Sequence, residues 1–201
     1  MVDTNTGPEI SLEALQAGDR AEFARLVDAY SIQIYRLALK MLGDEQDAED
    51  VLQNTFMKAL QSIENFEGRS SLSTWLYRIA VNEALMLLRR QKPTVPVAID
   101  YEDDEDEIQH PTRFTDWCCL PEEELLSAES RGHLDEAIRH LPEKLRVVFL
   151  LRDIEGLSIH ETSEALDMTE TAVKTRLLRA RLNLREQLST YYGERLKEEQ
   201  A

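Results

Sequence analysis

Apolar residues recur at intervals of three and four along most of the chain, the period of helices that bury one stripe and wet the other. Phe23, Leu26, Val27, Tyr30, Ile34, Leu37 and Met41 form one such stripe and predict a long helix. Asp19 and Glu22 give it a box-like start, and Gly43 closes it. Ahead of it, Ser11 to Ala17 reads as a short helix ending near Gly18, preceded by a loose tail over residues 1–10 that contains Gly7-Pro8. A third helix is expected after Asp44, its first turn rich in carboxylates that suit the positive helix end, with Val51, Leu52, Phe56, Leu60 and Ile63 inward. Phe66 to Thr74 is a turn-rich loop. A fourth helix, from Trp75 to Arg90, runs to the stop at Pro93. Residues 11–93 thus read as one compact helical domain.

The period resumes after Pro121. Leu125, Leu126, Leu134, Ala137, Ile138 and Leu141 predict a helix over 122–140, and Leu145, Val148, Phe149 and Leu151 a second over 143–155, stopped by Gly156. Ser158 and Glu161 form a capping box that opens a helix at Ile159, with Ile159, Ala165 and Leu166 on its buried side. Asp167-Met168-Thr169 supplies a turn and an N-cap, and another helix starts at Glu170. Ala172, Val173, Leu177, Ala180 and Leu184 give that helix its apolar side. Residues 122–190 read as a second domain of three or four helices, and 191–201 as a tail. Alternating strand-like runs are few, so the fold class is all-α: two small helical domains joined by a long acidic linker over 94–121.

Charge sharpens this division. Between Ala98 and Ser130 there are twelve Asp or Glu against Arg113 alone, so this stretch holds −11 of the chain's formal −16. Such a run stays extended and solvated. Phe114, Trp117, Cys118, Cys119 and Leu120 form an apolar island inside it, either an ordinary packed patch or a surface that docks on a domain or partner. The only cysteines, Cys118 and Cys119, are adjacent and cannot build a disulfide framework. A metal or redox enzyme using His110, Cys118, Cys119 and His133 lacks the C-x-x-C spacing of zinc sites, so neither a metal nor a cofactor is expected. With no signal-peptide pattern and no apolar run near the length of a membrane span, the expected location is the cytoplasm.

Against that acidic background, Ala172 to Arg185 carries five Lys or Arg and no acid. A helix, a tight turn and a second helix presenting cations and polar tips is the arrangement that places one helix in the DNA major groove. There Lys and Arg meet phosphates or guanine edges, and Thr hydroxyls meet base edges. The plain alternative is a charged, solvated helix face. A helix-turn-helix alone is also compatible with a stand-alone regulator that binds operators as a dimer without polymerase, which leaves the first domain without a task.

Longer motifs narrow the choice. Asp47-Ala48-Glu49-Asp50-Val51-Leu52-Gln53-Asn54-Thr55-Phe56, then Phe66-Glu67-Gly68-Arg69-Ser70, then Thr74-Trp75-Leu76-Tyr77-Arg78-Ile79-Ala80-Val81-Asn82, resemble region 2 of the extracytoplasmic-function (ECF) sigma factors. Leu141-Pro142-Glu143-Lys144-Leu145-Arg146, Glu155-Gly156-Leu157-Ser158 and Thr171 to Arg181 are similar to their region 4. The resemblance implies a non-enzymatic initiation factor whose partners are core RNA polymerase, promoter DNA and an anti-sigma factor, the last being the route by which the protein would be held at a membrane. Asp47, Asp50, Gln53 and Phe56 then correspond to the core-polymerase-binding positions; the alternative is a favourable helix start for the acids and core packing for Phe56. Phe66, Gly68, Arg69, Ser70, Ser71 and Asn82 match the minus-10 loop, which captures a flipped base. Lys174, Thr175, Leu178 and Arg179 match the minus-35 readers. Arg78, Arg89 and Arg90, with Lys92, suit phosphates; Arg176, Arg181 and Arg185 suit phosphates or intrachain pairing; and Trp75 suits the core. The linker would thread channels of the polymerase otherwise used by nucleic acid, or serve only as a solubilising tether. Met86-Leu87-Leu88 departs from the family, which commonly has acid or polar residues there, and implies that part of the fourth helix is buried.

Overall fold

The computed structural model describes residues 10–91 and 128–198. The expected N-terminal tail up to residue 9, the acidic linker over 94–121, its apolar island and His110, Cys118 and Cys119 lie outside the described residues. Among those described, every regular element is a helix: α1 (Leu12–Gln16), α2 (Arg20–Leu42), α3 (Glu45–Ser62), a 3₁₀ turn (Ile63–Asn65), α4 (Leu72–Gln91), α5 (Ala128–His140), α6 (Glu143–Phe149) running into a π-helical turn (Leu150–Ile154), α7 (Ile159–Leu166) and α8 (Glu170–Glu198). Contacts divide the chain into two compact units, one holding α1 to α4 and residues 160–167, the other the remaining described residues.

Local chemistry sets the boundaries in the first unit. The Ser11 hydroxyl accepts from the Ala14 N–H to cap α1. Asp19 Oδ1 accepts from the N–H groups of Ala21 and Glu22, at 2.8 and 3.3 Å, to cap α2. The Glu22 side chain takes up a different role from the box partner expected of it: buried, it accepts from the Ser11 N–H at 2.6 Å and pairs with Arg25. α1 is thereby stitched to the first turn of α2. Gly43 ends α2 at φ 78°, a left-handed conformation that costs glycine least.

The core of this unit gathers Leu15, Leu26, Ile34, Phe56, Ala59, Ile63, Leu76 and Ala80, with α2, α3 and α4 packed on one another. Along α3 the inward face centres on Ala48, Val51, Thr55 and Ala59, small side chains that let α2 and α4 approach. The Thr55 hydroxyl returns a bond to the Val51 carbonyl at 2.6 Å, which makes its burial affordable. Leu60, expected inward, lies one residue beyond Ala59, about 100° further round the helix, and is 55% exposed. α4 begins three residues before the expected Trp75, because the Ser71 hydroxyl accepts from the Thr74 N–H at 3.1 Å and caps it. Of the family-departing run, Met86 is exposed, while Leu87 and Leu88 are half-buried.

In the second unit, Ala137, Ile138, Leu141, Val147, Val148, Leu150, Leu151 and Leu157 are buried, as are Val173, Leu177, Ala180 and Leu184 of the stripe expected on α8. α5 and α6 both pack on α8. Arg146 bridges the α5–α6 turn by donating from Nε and Nη2 to the Leu141 carbonyl at 3.3 and 3.0 Å, and burial lowers its pKa. After Phe149 the helix widens: Glu155 N–H reaches back to the Leu150 carbonyl at 2.9 Å and Leu157 N–H to that of Leu151 at 3.0 Å. α8 runs on through the expected tail to Glu198.

Candidate polymerase and nucleic-acid surfaces

α3 presents a continuous outer face. Gln46, Asp50, Gln53, Met57 and Leu60 follow one another at helical spacing and are all exposed, Met57 by 59%. Of the expected polymerase-binding residues, Asp50 and Gln53 stand on this face. Asp47 is half-buried and accepts from Gln91 Nε2 at 2.6 Å, which ties the start of α3 to the end of α4. Phe56 points the other way, into the core, its ring edge-on to Phe23 with centroids 6.4 Å apart. It therefore fills the structural role held open for it and offers no outward side chain. Met57 and Leu60, four and seven residues on from Gln53, complete this exposed face and were not in the expected set.

The loop leading into α4 is held at both ends. Phe66 N–H bonds the Ile63 carbonyl at 3.1 Å, the Phe66 carbonyl accepts from Gln16 Nε2 at 2.7 Å, and the Phe66 ring lies against half-buried Trp75 with centroids 4.9 Å apart. At the far end the Ser71 hydroxyl, besides capping α4, lies 2.9 Å from that of Ser73 and 2.7 Å from that of Thr74. Ser71 is thus helix-start chemistry before it is anything else. Between these anchors Gly68 adopts φ 69°, exposed Arg69 pairs with Glu67, and Ser70 is half-buried. Asn82 is exposed on α4, on the same face as Arg78 and Arg89, and Arg90 is exposed beside them.

On α8, Thr169 Oγ1 accepts from the Ala172 N–H at 3.2 Å and caps the helix, after a turn in which Asp167 takes φ 53°. Lys174 is exposed and lies 3.3 Å from Glu170, one turn earlier. Leu178, one turn later, is 49% exposed, unusual for a leucine on a cationic face. Thr171, exposed three residues before Lys174, shares this face and was not singled out from the sequence. Thr175 is exposed and donates its hydroxyl to the Thr171 carbonyl at 3.0 Å. Arg179 is half-buried at the edge of the face. Arg176 is half-buried, with Nη1 3.9 Å from Met168 Sδ. Arg181 donates to both carboxylate oxygens of Asp153, at 2.7 and 2.8 Å, a hydrogen bond that raises its pKa. Of the roles open to these last two arginines, the geometry favours intrachain contacts over phosphate. Among the described residues, no three His, Cys, Asp or Glu side chains converge on a metal-sized site, and no helix is long and apolar enough to cross a membrane.

Two family profiles match the chain, sigma-70 region 2 over residues 26–94 and sigma-70 region 4 over 131–184. The chain is 36% identical over 177 residues to the ECF RNA polymerase sigma factor SigW of Bacillus subtilis, covering 88% of this chain and 94% of that one. It is 36% identical over 170 residues to the ECF RNA polymerase sigma-E factor of Haemophilus influenzae, covering 85% and 89%. In fold it is similar to CnrH solved with the cytosolic domain of CnrY, at TM-score 0.62, 22% identity and coverage of 86% and 91%. It is also similar to RpoE of Bartonella quintana solved with the anti-sigma factor NepR, at TM-score 0.60, 22% identity and coverage of 83% and 96%.

Proposed function

The chain belongs to the ECF RNA polymerase sigma factors, and as such directs core RNA polymerase to promoters; we propose that its surfaces divide that task as follows. The outer face of α3, with Asp50, Gln53 and the neighbouring Asp47, docks on the polymerase, its carboxylates steering the approach to a basic partner. The loop from Phe66 to Ser71, with Asn82, holds a base extruded from the minus-10 element, and Arg78, Arg89 and Arg90 neutralise the nearby phosphates. The face of α8 reads the minus-35 element through Lys174, Thr175, Leu178 and Arg179.

The observation that carries this reading is Leu178. A large apolar side chain left half in water, one turn from an exposed lysine, has a use in a major groove, where thymine offers a methyl group among polar edges. The buried side of the same helix is fixed by Val173, Leu177 and Ala180, so the exposed side is presented rigidly.

The protein carries out no chemistry of its own under this reading; nucleotide addition belongs to the polymerase. It works in the cytoplasm, and an anti-sigma factor that covers its surfaces is the partner that silences it. Run-off transcription from a library of genomic fragments, with purified core polymerase and the full chain, tests the whole assignment. The expected result is a set of new start sites sharing two spaced elements. Unchanged start-site choice, or tight binding to a palindrome in the absence of polymerase, would overturn it in favour of a stand-alone regulator.

A further inference from the structure

α1 lies before residue 26, where the region 2 profile begins, and no role has been given to it. Its side chains nevertheless reach the loop that receives the extruded base. Leu15 is 2% exposed within the core. Leu12 Cδ2 would lie 3.8 Å from a Cβ placed on Gly68. Gln16 Nε2 donates to the Phe66 carbonyl at 2.7 Å, joining residues separated by 50 positions.

The Phe66 carbonyl is the last backbone acceptor before the chain swings out through Glu67, Gly68, Arg69 and Ser70. Its ring is fixed on Trp75 and its N–H on the 3₁₀ turn, so the Gln16 bond fixes the remaining backbone polar group of Phe66, which lies in the peptide plane shared with Glu67. The direction in which the loop departs follows from the plane. α1 is itself anchored by the Ser11 N–H bond to buried Glu22 at 2.6 Å, so Gln16 acts from a stable base.

We infer that Gln16 is a positioning residue for minus-10 recognition: it touches no DNA, but sets the loop from Glu67 to Ser70 in the conformation that receives the base. This rests on the assignment of that loop to the minus-10 element. It predicts a separation of effects between base recognition and polymerase docking.

The test uses the full chain bound to core polymerase, with a fluorescent single-stranded minus-10 oligonucleotide and versions altered at the captured base. Gln16→Ala and Gln16→Glu, neither able to donate to the Phe66 carbonyl, are expected to lose roughly three- to tenfold in affinity for the preferred oligonucleotide, the range of one lost hydrogen bond. Their discrimination against altered bases should narrow. Gln16→Arg, which keeps an N–H donor, should restore most of it, and affinity for core polymerase should be unchanged throughout. Wild-type discrimination in Gln16→Ala and Gln16→Glu overturns the inference, as does a parallel fall in polymerase affinity, which would mark a general structural role. If the wild-type complex itself shows no base preference, the loop assignment fails and the inference falls with it.

Discussion

Arg181 grips Asp153 through two parallel bonds, Nε to Oδ2 at 2.8 Å and Nη2 to Oδ1 at 2.7 Å. The pair joins α8 to the wide turn after α6, across 28 positions of sequence. Its members differ in exposure, with 54% of the Arg181 side chain and 20% of that of Asp153 open to water. Arg181→Ala should therefore cost about 1 kcal/mol or less in thermal or urea unfolding, as solvent screens the pair. Its clearer signature is in DNA binding. Replacing Lys174 with alanine should flatten the salt dependence of promoter affinity by about one unit of log–log slope, while Arg181→Ala should leave the slope close to wild type.

Leu178 gives a prediction that needs altered DNA as well as altered protein. Leu178→Ala should weaken binding of the polymerase complex to its minus-35 element by roughly three- to thirtyfold where a thymine methyl is lost as a partner. Replacing that thymine with uracil should weaken the wild type and leave the variant unmoved. Equal sensitivity of both proteins to the methyl group would remove Leu178 from the reading face.

Phe56 and Met57 are neighbours that face opposite ways. Phe56→Ala should destabilise the first unit by about 3–5 kcal/mol, the usual range for opening a cavity at a buried aromatic ring. Met57→Ala, on the exposed face, should leave unfolding within about 0.5 kcal/mol of wild type. Only the second should lower polymerase affinity without a matching fall in melting temperature. Differential scanning calorimetry beside a polymerase titration separates the two.

Burial raises the Tyr30 phenol above its ordinary value of 10.0, against a smaller lowering by its hydrogen bond with the Ser73 side chain. The folded state thus favours the neutral phenol. Its contribution is fully present below the unfolded pKa and is lost as pH rises through the higher folded one. Stability should fall with pH above about 10, and less steeply in Tyr30→Phe. Tyrosinate absorbance followed through an alkaline titration should show a late-ionising component that the variant lacks.

Much of this fold was legible because each helix declares itself more than once. α2 has its apolar stripe, Asp19 at one end and Gly43 at the other, and all agree. α8 was readable in the same way through Val173, Leu177, Ala180 and Leu184. Errors arose where one residue type serves two ends. Glu22 has the spacing of a capping box, but the carboxylate found a better donor in the Ser11 N–H, which only the folded chain brings near. Leu60 continues a hydrophobic series, yet the buried face of α3 is set by Ala48, Thr55 and Ala59, whose small size mattered more than their polarity. The DNA and polymerase positions came from motif resemblance. The bond from Gln16 to Phe66 had no sequence signal, since nothing in a glutamine announces a partner fifty positions on. The same holds for the commitment of Arg181 to Asp153.

The widened turn from Leu150 to Ile154 gives the second unit one place where the count of residues has slack. It takes up one residue more than a regular helix needs, so losing a single residue there would let the segment tighten into ordinary α geometry. Later positions would keep their angular register, whereas the same loss from a regular helix would rotate them by about 100°. Single-residue deletions should thus be milder here than in a regular helix such as α8, a tolerance of counting that no individual side chain in the turn would reveal.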